Sequence, residues 1–142
     1  MIKKILAPGN DSGLVSFSLL VLRIWLGLTM FLVHGMDKLH HFNDIAANFP
    51  DPLGIGAKPG FVLVVLAETL GAILLVLGLV ARLGALMLAI DMGVAFFMVH
   101  KMAFGGSHPG ELAFIYLAGY VTLLLAGPGR FSVDKALFVK GK

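Results

Sequence analysis

The sequence predicts an all-α membrane protein, a four-transmembrane-helix antiparallel bundle with both termini cytoplasmic. Three observations carry that expectation. The 142 residues are 58% hydrophobic and only 13% charged, with a mean hydropathy of +0.95, which is too apolar for a water-soluble domain of this length. Apolar stretches at about 15–35, 60–80, 83–102 and 111–126 match the roughly 20 helical residues needed to cross a hydrocarbon core about 30 Å thick, the last being the shortest. Lys3, Lys4, Arg82, Arg130, Lys135, Lys140 and Lys142 fall on the side of the termini, against Lys38, Lys58 and Lys101 on the other. Cytoplasmic loops collect such cations. The net charge of +3 follows from this bias and calls for no nucleic-acid partner.

The first stretch is expected to be a retained helix. Pro8 to Asp11 separate Lys3 and Lys4 from the apolar run, and its end at Val33-His34-Gly35-Met36 lacks the small residues of a signal-peptidase site. The outer loop, 36–59, is long for a helix-to-helix connection, as functional covers often are. Phe42, Ile45 and Phe49 have helical spacing, Asn43 is placed to cap, and Pro50-Asp51-Pro52 with Gly54 and Gly56 stops the chain. A short interfacial helix over the outer mouth is therefore expected. The second and third stretches are joined by little more than Ala81 and Arg82, so they must be antiparallel neighbours. Gly105 to Gly110 separates the third from the fourth, and Gly127-Pro128-Gly129 ends it. In the tail, 127–142, Ser132 is placed to cap an amphipathic helix through Val133, Ala136 and Leu137. The whole reads as one domain over 1–142. Frequent glycines in the spans, such as Gly71, Gly78, Gly84, Gly93 and Gly119, fit close helix packing in lipid.

Three ionisable residues lie within the spans: Arg23, Glu68 and Asp91. A charge near the bilayer centre costs at least about 2.5 kcal/mol, so partners are expected. Counted from the outer helix ends, the three sit at roughly 19, 12 and 15 Å, close enough in depth to meet. One Arg with two carboxylates leaves a negative charge over, so the cluster is expected to hold a proton. The competing reading is structural, with Arg23 joining the first three helices through buried ion pairs.

Nearer the outer surface, Arg23, Gly27, Met30, His34 and Lys38 recur every three or four residues, one stripe facing the bundle. His100 and Glu111 lie at the depth of its outer end. Together His34, Lys38, His100 and Glu111 form a candidate binding group, and five histidines suggest a metal or proton-handling site. His40, His41 and His108 read more simply as solvated loop residues. Asp91 and His100 are nine residues apart, on opposite faces of a straight helix, so both can face one pocket only where the helix bends or ends early. With no cysteine in the chain, disulfide and thiol exchange chemistry is excluded.

Arg23-Ile24-Trp25-Leu26-Gly27, then Phe31, His34-Gly35, Lys38-Leu39 and Phe42, resembles the opening signature of the DoxX family. Glu68-Thr69-Leu70-Gly71 with Gly78, Gly110-Glu111-Leu112-Ala113, and the run from Gly127 to Asp134 resemble its later helices and terminator. The resemblance implies a multi-pass protein of the bacterial or archaeal cytoplasmic (inner) membrane, of a kind given an oxidoreductase label. Some relatives are subunits of thiosulfate:quinone oxidoreductases or accompany quinol oxidases. On that footing Arg23, Glu68 and Asp91 are expected to bind quinone oxygens and handle protons, with Tyr116 and Tyr120 weaker candidates because the stripe through Glu111, Ile115, Ala118 and Thr122 leaves them on another face. The alternative is a non-enzymatic membrane partner or a small-molecule or metal carrier. Membrane lipid, a homo-oligomer or a redox partner subunit are the expected associations.

Overall fold

A computed structural model describes residues 12–107 and 109–138. Among them every regular element is helical. Long helices α1 (Gly13–His40), α3 (Ala57–Leu77) and α4 (Ala81–Val99) are each long and apolar enough to cross a membrane, and α5 (Glu111–Ala126) is apolar but shorter. Short helices α2 (Phe42–Ala46) and α6 (Val133–Phe138) follow α1 and α5. The long helices run alternately up and down, so α1 begins and α5 finishes at one end, the terminal end, and α2 lies at the other, the loop end.

Their surfaces invert those of a soluble protein. Leu14, Trp25 and Leu125 are more than 70% exposed, while Arg23 and Glu68 are buried. With lipid as solvent, apolar side chains face outward at no cost and polar ones turn inward.

Small residues set the packing. A Cβ on Gly84 would come within 2.6 Å of the Gly71 carbonyl oxygen, and one on Gly35 within 2.8 Å of the Glu68 carbonyl oxygen. Backbone contact of this kind holds helices together where apolar burial gives little. From the Gly71–Gly84 crossing, α3 and α4 stay in contact toward the terminal end and separate toward the loop end.

Several boundaries differ from expectation. α1 continues through Gly35 to His40, so residues assigned to the outer loop, Lys38 among them, belong to a helix. α3 ends at Leu77 because Gly78 takes a left-handed conformation, φ 68°, and the connection is 78–80, with Arg82 already inside α4. Asn43 lies within α2 and makes no cap there. Phe42, Ile45 and Phe49 do share a face, packing around the buried Phe61 of α3. The strap after α2, not α2 itself, reaches over the bundle. The Asp51 carboxylate accepts from the backbone N–H groups of Ile55 and Gly56 at 3.0 and 2.9 Å, folding the strap into a tight loop. The Ser132 hydroxyl accepts from the Lys135 N–H at 3.2 Å at the start of α6, as its spacing suggested.

Candidate functional site

A cavity of about 460 Å³ lies in the loop-end half of the bundle. α1 contributes Met30, His34 and Lys38; α3 contributes Glu68; α4 contributes Asp91; His100 follows α4; and α5 contributes Tyr116. Strap residues 49–53 and Ile55 form its cover, and most of the remaining wall is apolar.

At its polar centre, Lys38 Nζ donates to Glu68 Oε1 at 2.9 Å and lies 2.7 Å from Oε2. The Glu68 side chain is 4% exposed and that of Lys38 19%, so this is a largely desolvated pair. Asp91 lies in the electrostatic field of both, and its Oδ2 is buried without a hydrogen-bond partner. One ammonium thus pairs with Glu68 while a second carboxyl group, Asp91, lies within the field of both, at the foot of an apolar cavity.

Helix irregularity places these groups. α1, α3 and α4 each contain a π-helical turn, at Met30–Gly35, Ala67–Gly71 and Ala95–Val99. Each adds one residue to a turn and so resets the helix face by about 100°. His34 and Glu68 lie inside two of these turns. The third separates Asp91 from His100, and α4 ends at Val99; both side chains therefore line one cavity although nine straight-helix residues would oppose them. The condition on which their joint placement depended is met by the π turn and the early end together.

The expected cluster of Arg23 with Glu68 and Asp91 does not form. Because α1 extends to His40, Arg23 lies seventeen residues from its loop end, about 26 Å, against about 16 Å for Glu68 and 12 Å for Asp91 on their helices. Arg23 is 2% exposed and donates from Nη2 to the carbonyl oxygen of Phe131, at the terminal end. Lys38 occupies the role expected of Arg23. The α1 stripe itself faces inward as predicted, with Arg23, Gly27 and Met30 buried and His34 and Lys38 half-buried.

Glu111 and the tyrosines exchange places. Glu111, Ile115, Ala118 and Thr122 are exposed, whereas Ala113, Tyr116, Tyr120 and Leu123 form the buried face of α5. Glu111 opens α5, where a carboxylate suits the positive end of the helix dipole. Tyr116 meets the His34 ring edge-on at 5.9 Å and stacks on Tyr120 at 5.7 Å. Tyr120 donates to the Leu26 carbonyl at 3.3 Å. The spacing of Ala113, Tyr116, Tyr120 and Leu123 was itself an inward stripe; its small first member was the available signal. Among the described residues no three His, Asp or Glu side chains gather as metal donors. His40 and His41 are exposed, His41 pairing with Asp37 at 3.1 Å, and His108 lies outside the described residues.

Asp134 was missed as a functional group of the fold. It is 1% exposed and accepts from the N–H groups of Val80 and Ala81 at 2.6 and 3.0 Å, capping α4 from the far end of the sequence.

The family model for DoxX matches residues 18–101. An uncharacterized protein of Haemophilus influenzae is 30% identical over 116 residues, covering 78% of this chain and 84% of the relative. An uncharacterized membrane protein of Mycobacterium tuberculosis is 29% identical over 133 residues, covering 84% of this chain and 81% of the relative. No solved structure matches the chain.

Proposed function

The chain belongs to the DoxX family, and from that premise we propose that it is a four-span protein of the bacterial inner membrane whose cavity binds a quinone and handles its protons. Both termini would lie in the cytoplasm, with the loop end and its cavity toward the outer face, in keeping with the Lys and Arg distribution. α5, about 24 Å long by its 16 residues, would be the fourth span, shielded along one side by α4, its most extensive neighbour.

The observation that carries the reading is the Lys38–Glu68 pair beside the unpartnered Asp91 oxygen, at the foot of an apolar cavity of about 460 Å³. Pockets of this size hold a ring-sized ligand with a few convergent polar groups. A quinone suits those groups, because its carbonyl oxygens accept hydrogen bonds and are hard to satisfy in lipid. Lys38 would donate to one carbonyl. Glu68 and Asp91, with the single ammonium of Lys38 near them, would keep one proton on the pair to balance charge. A bound quinone supplies two-electron redox chemistry with uptake of two protons, and the electrons would come from a partner subunit. His34, at the cavity wall against Tyr116, would pass protons between the pair and the loop end.

Purified protein in nanodiscs, examined by native mass spectrometry and titrated with a short-chain quinone, tests this directly. Retained quinone, with affinity falling at least tenfold in Glu68→Gln, is the expected result. Wild-type protein that neither retains quinone nor responds to its analogues would end the reading, and a retained phospholipid instead would favour a carrier.

A further inference from the structure

Resting on that reading, we infer that the ligand is a long-tailed amphiphile of the bilayer whose tail leaves the cavity sideways, between the loop-end halves of α3 and α4. Facing stripes line this gap. Gly60, Leu63, Val64 and Ala67 recur at helical spacing on α3, and Met87, Ile90, Asp91 and Val94 do so on α4. All eight line the cavity, yet Leu63 is 55% and Ile90 59% exposed. Side chains that both line an interior space and face outward mark its opening. These two are apolar, so the opening faces lipid.

The gap has a structural cause. α3 and α4 are pinned by backbone contact at Gly71 and Gly84 and joined by the short turn 78–80. Beyond that crossing they diverge toward the loop end, so the pair forms a V with its open side at the level of Asp91 and above. The other sides are more tightly built, although Val99 and Leu112, which also line the cavity, are 38% and 54% exposed where α4 ends and α5 begins. Gly35 brings α1 against α3 at Glu68, α5 lies along α4, and the strap held by Asp51 and the Phe42–Phe49–Phe61 cluster covers the loop-end mouth. A cavity of this volume encloses a ring and short substituents. Any longer chain must lie outside, and the V delivers it into hydrocarbon while its polar head stays at Lys38, Glu68 and Asp91.

The test compares two probes on the protein in nanodiscs: a tail-less benzoquinone and a quinone bearing a long polyprenyl chain. Ile90→Trp and, separately, Leu63→Trp fill the opening from its two walls, at lipid-facing positions where a larger apolar side chain leaves packing intact. Each variant is expected to raise the ratio of long-tailed to tail-less dissociation constants at least tenfold over wild type. An unchanged ratio in both, with wild type binding both probes, overturns the lateral route and leaves the quinone site standing. Failure of wild type to bind the tail-less probe fails the site itself. A folded fraction measured by size-exclusion chromatography accompanies each variant, and a ratio is taken only from the folded peak.

Discussion

Lys38 and Glu68 hold each other in place, because each is a charge withdrawn from water. Removing one partner of such a pair costs about 3–5 kcal/mol, since the survivor remains buried and uncompensated. Lys38→Met is therefore expected to lower the thermal midpoint in detergent markedly, while the double change Lys38→Met with Glu68→Gln regains most of the loss. Quinone binding should fail in both. Circular-dichroism melts alongside ligand titration separate the two effects, and equal stability of the single and double variants would contradict the pairing. Sequence reasoning identified Glu68, Asp91, His34, Lys38 and His100 as candidates but paired Glu68 with the wrong cation. The reason is a boundary. Ending α1 at Gly35 removed five residues, about 7.5 Å, and with them put Lys38 in a loop and Arg23 within apparent reach.

The helices were legible for the reason that makes them stable: without water to satisfy backbone groups, a span must be one long apolar helix, and that leaves an unmistakable run of residues. Which face turns inward was legible only where polar residues marked it. The α1 stripe carried Arg23, His34 and Lys38 and was read correctly. α5 is apolar all round, so its one charged residue, Glu111, suggested a face that the structure turns outward. The π turns carry no signature of their own, because they arise where neighbouring helices fix the faces above and below. At the junction of α3 and α4, Val80 adopts φ 44°, a left-handed conformation that a β-branched residue resists by about 1–2 kcal/mol. The Asp134 carboxylate fixes that turn by accepting its two N–H groups. Val80→Gly is expected to stabilise the protein by about 1 kcal/mol, and Asp134→Ala to destabilise it by about 0.5–2 kcal/mol through the lost cap. Chemical-denaturant titration in mixed micelles measures both signs.

Across the whole molecule, the proposed topology, which rests on the distribution of basic residues, has the loop end facing away from the cytoplasm. The chain has no cysteine, so single replacements report their own surroundings. Asn43→Cys is expected to react with a membrane-impermeant maleimide in intact spheroplasts, and Ala136→Cys only after lysis; the reverse pattern would invert the topology and turn the cavity inward. The last described segment also ties the molecule together. Phe131 accepts from Arg23, Arg130 donates its N–H to the Ser16 hydroxyl at 3.1 Å, and Asp134 caps α4. Arg23 and its acceptor are 108 positions apart. At the roughly 5–20 residues per second of synthesis, the first helix must wait about 5–20 s for that carbonyl to emerge. During biosynthesis the arginine therefore resides in a membrane or translocon without its final acceptor, and the bundle closes only once the segment after α5 has been made, from that segment back to the first helix.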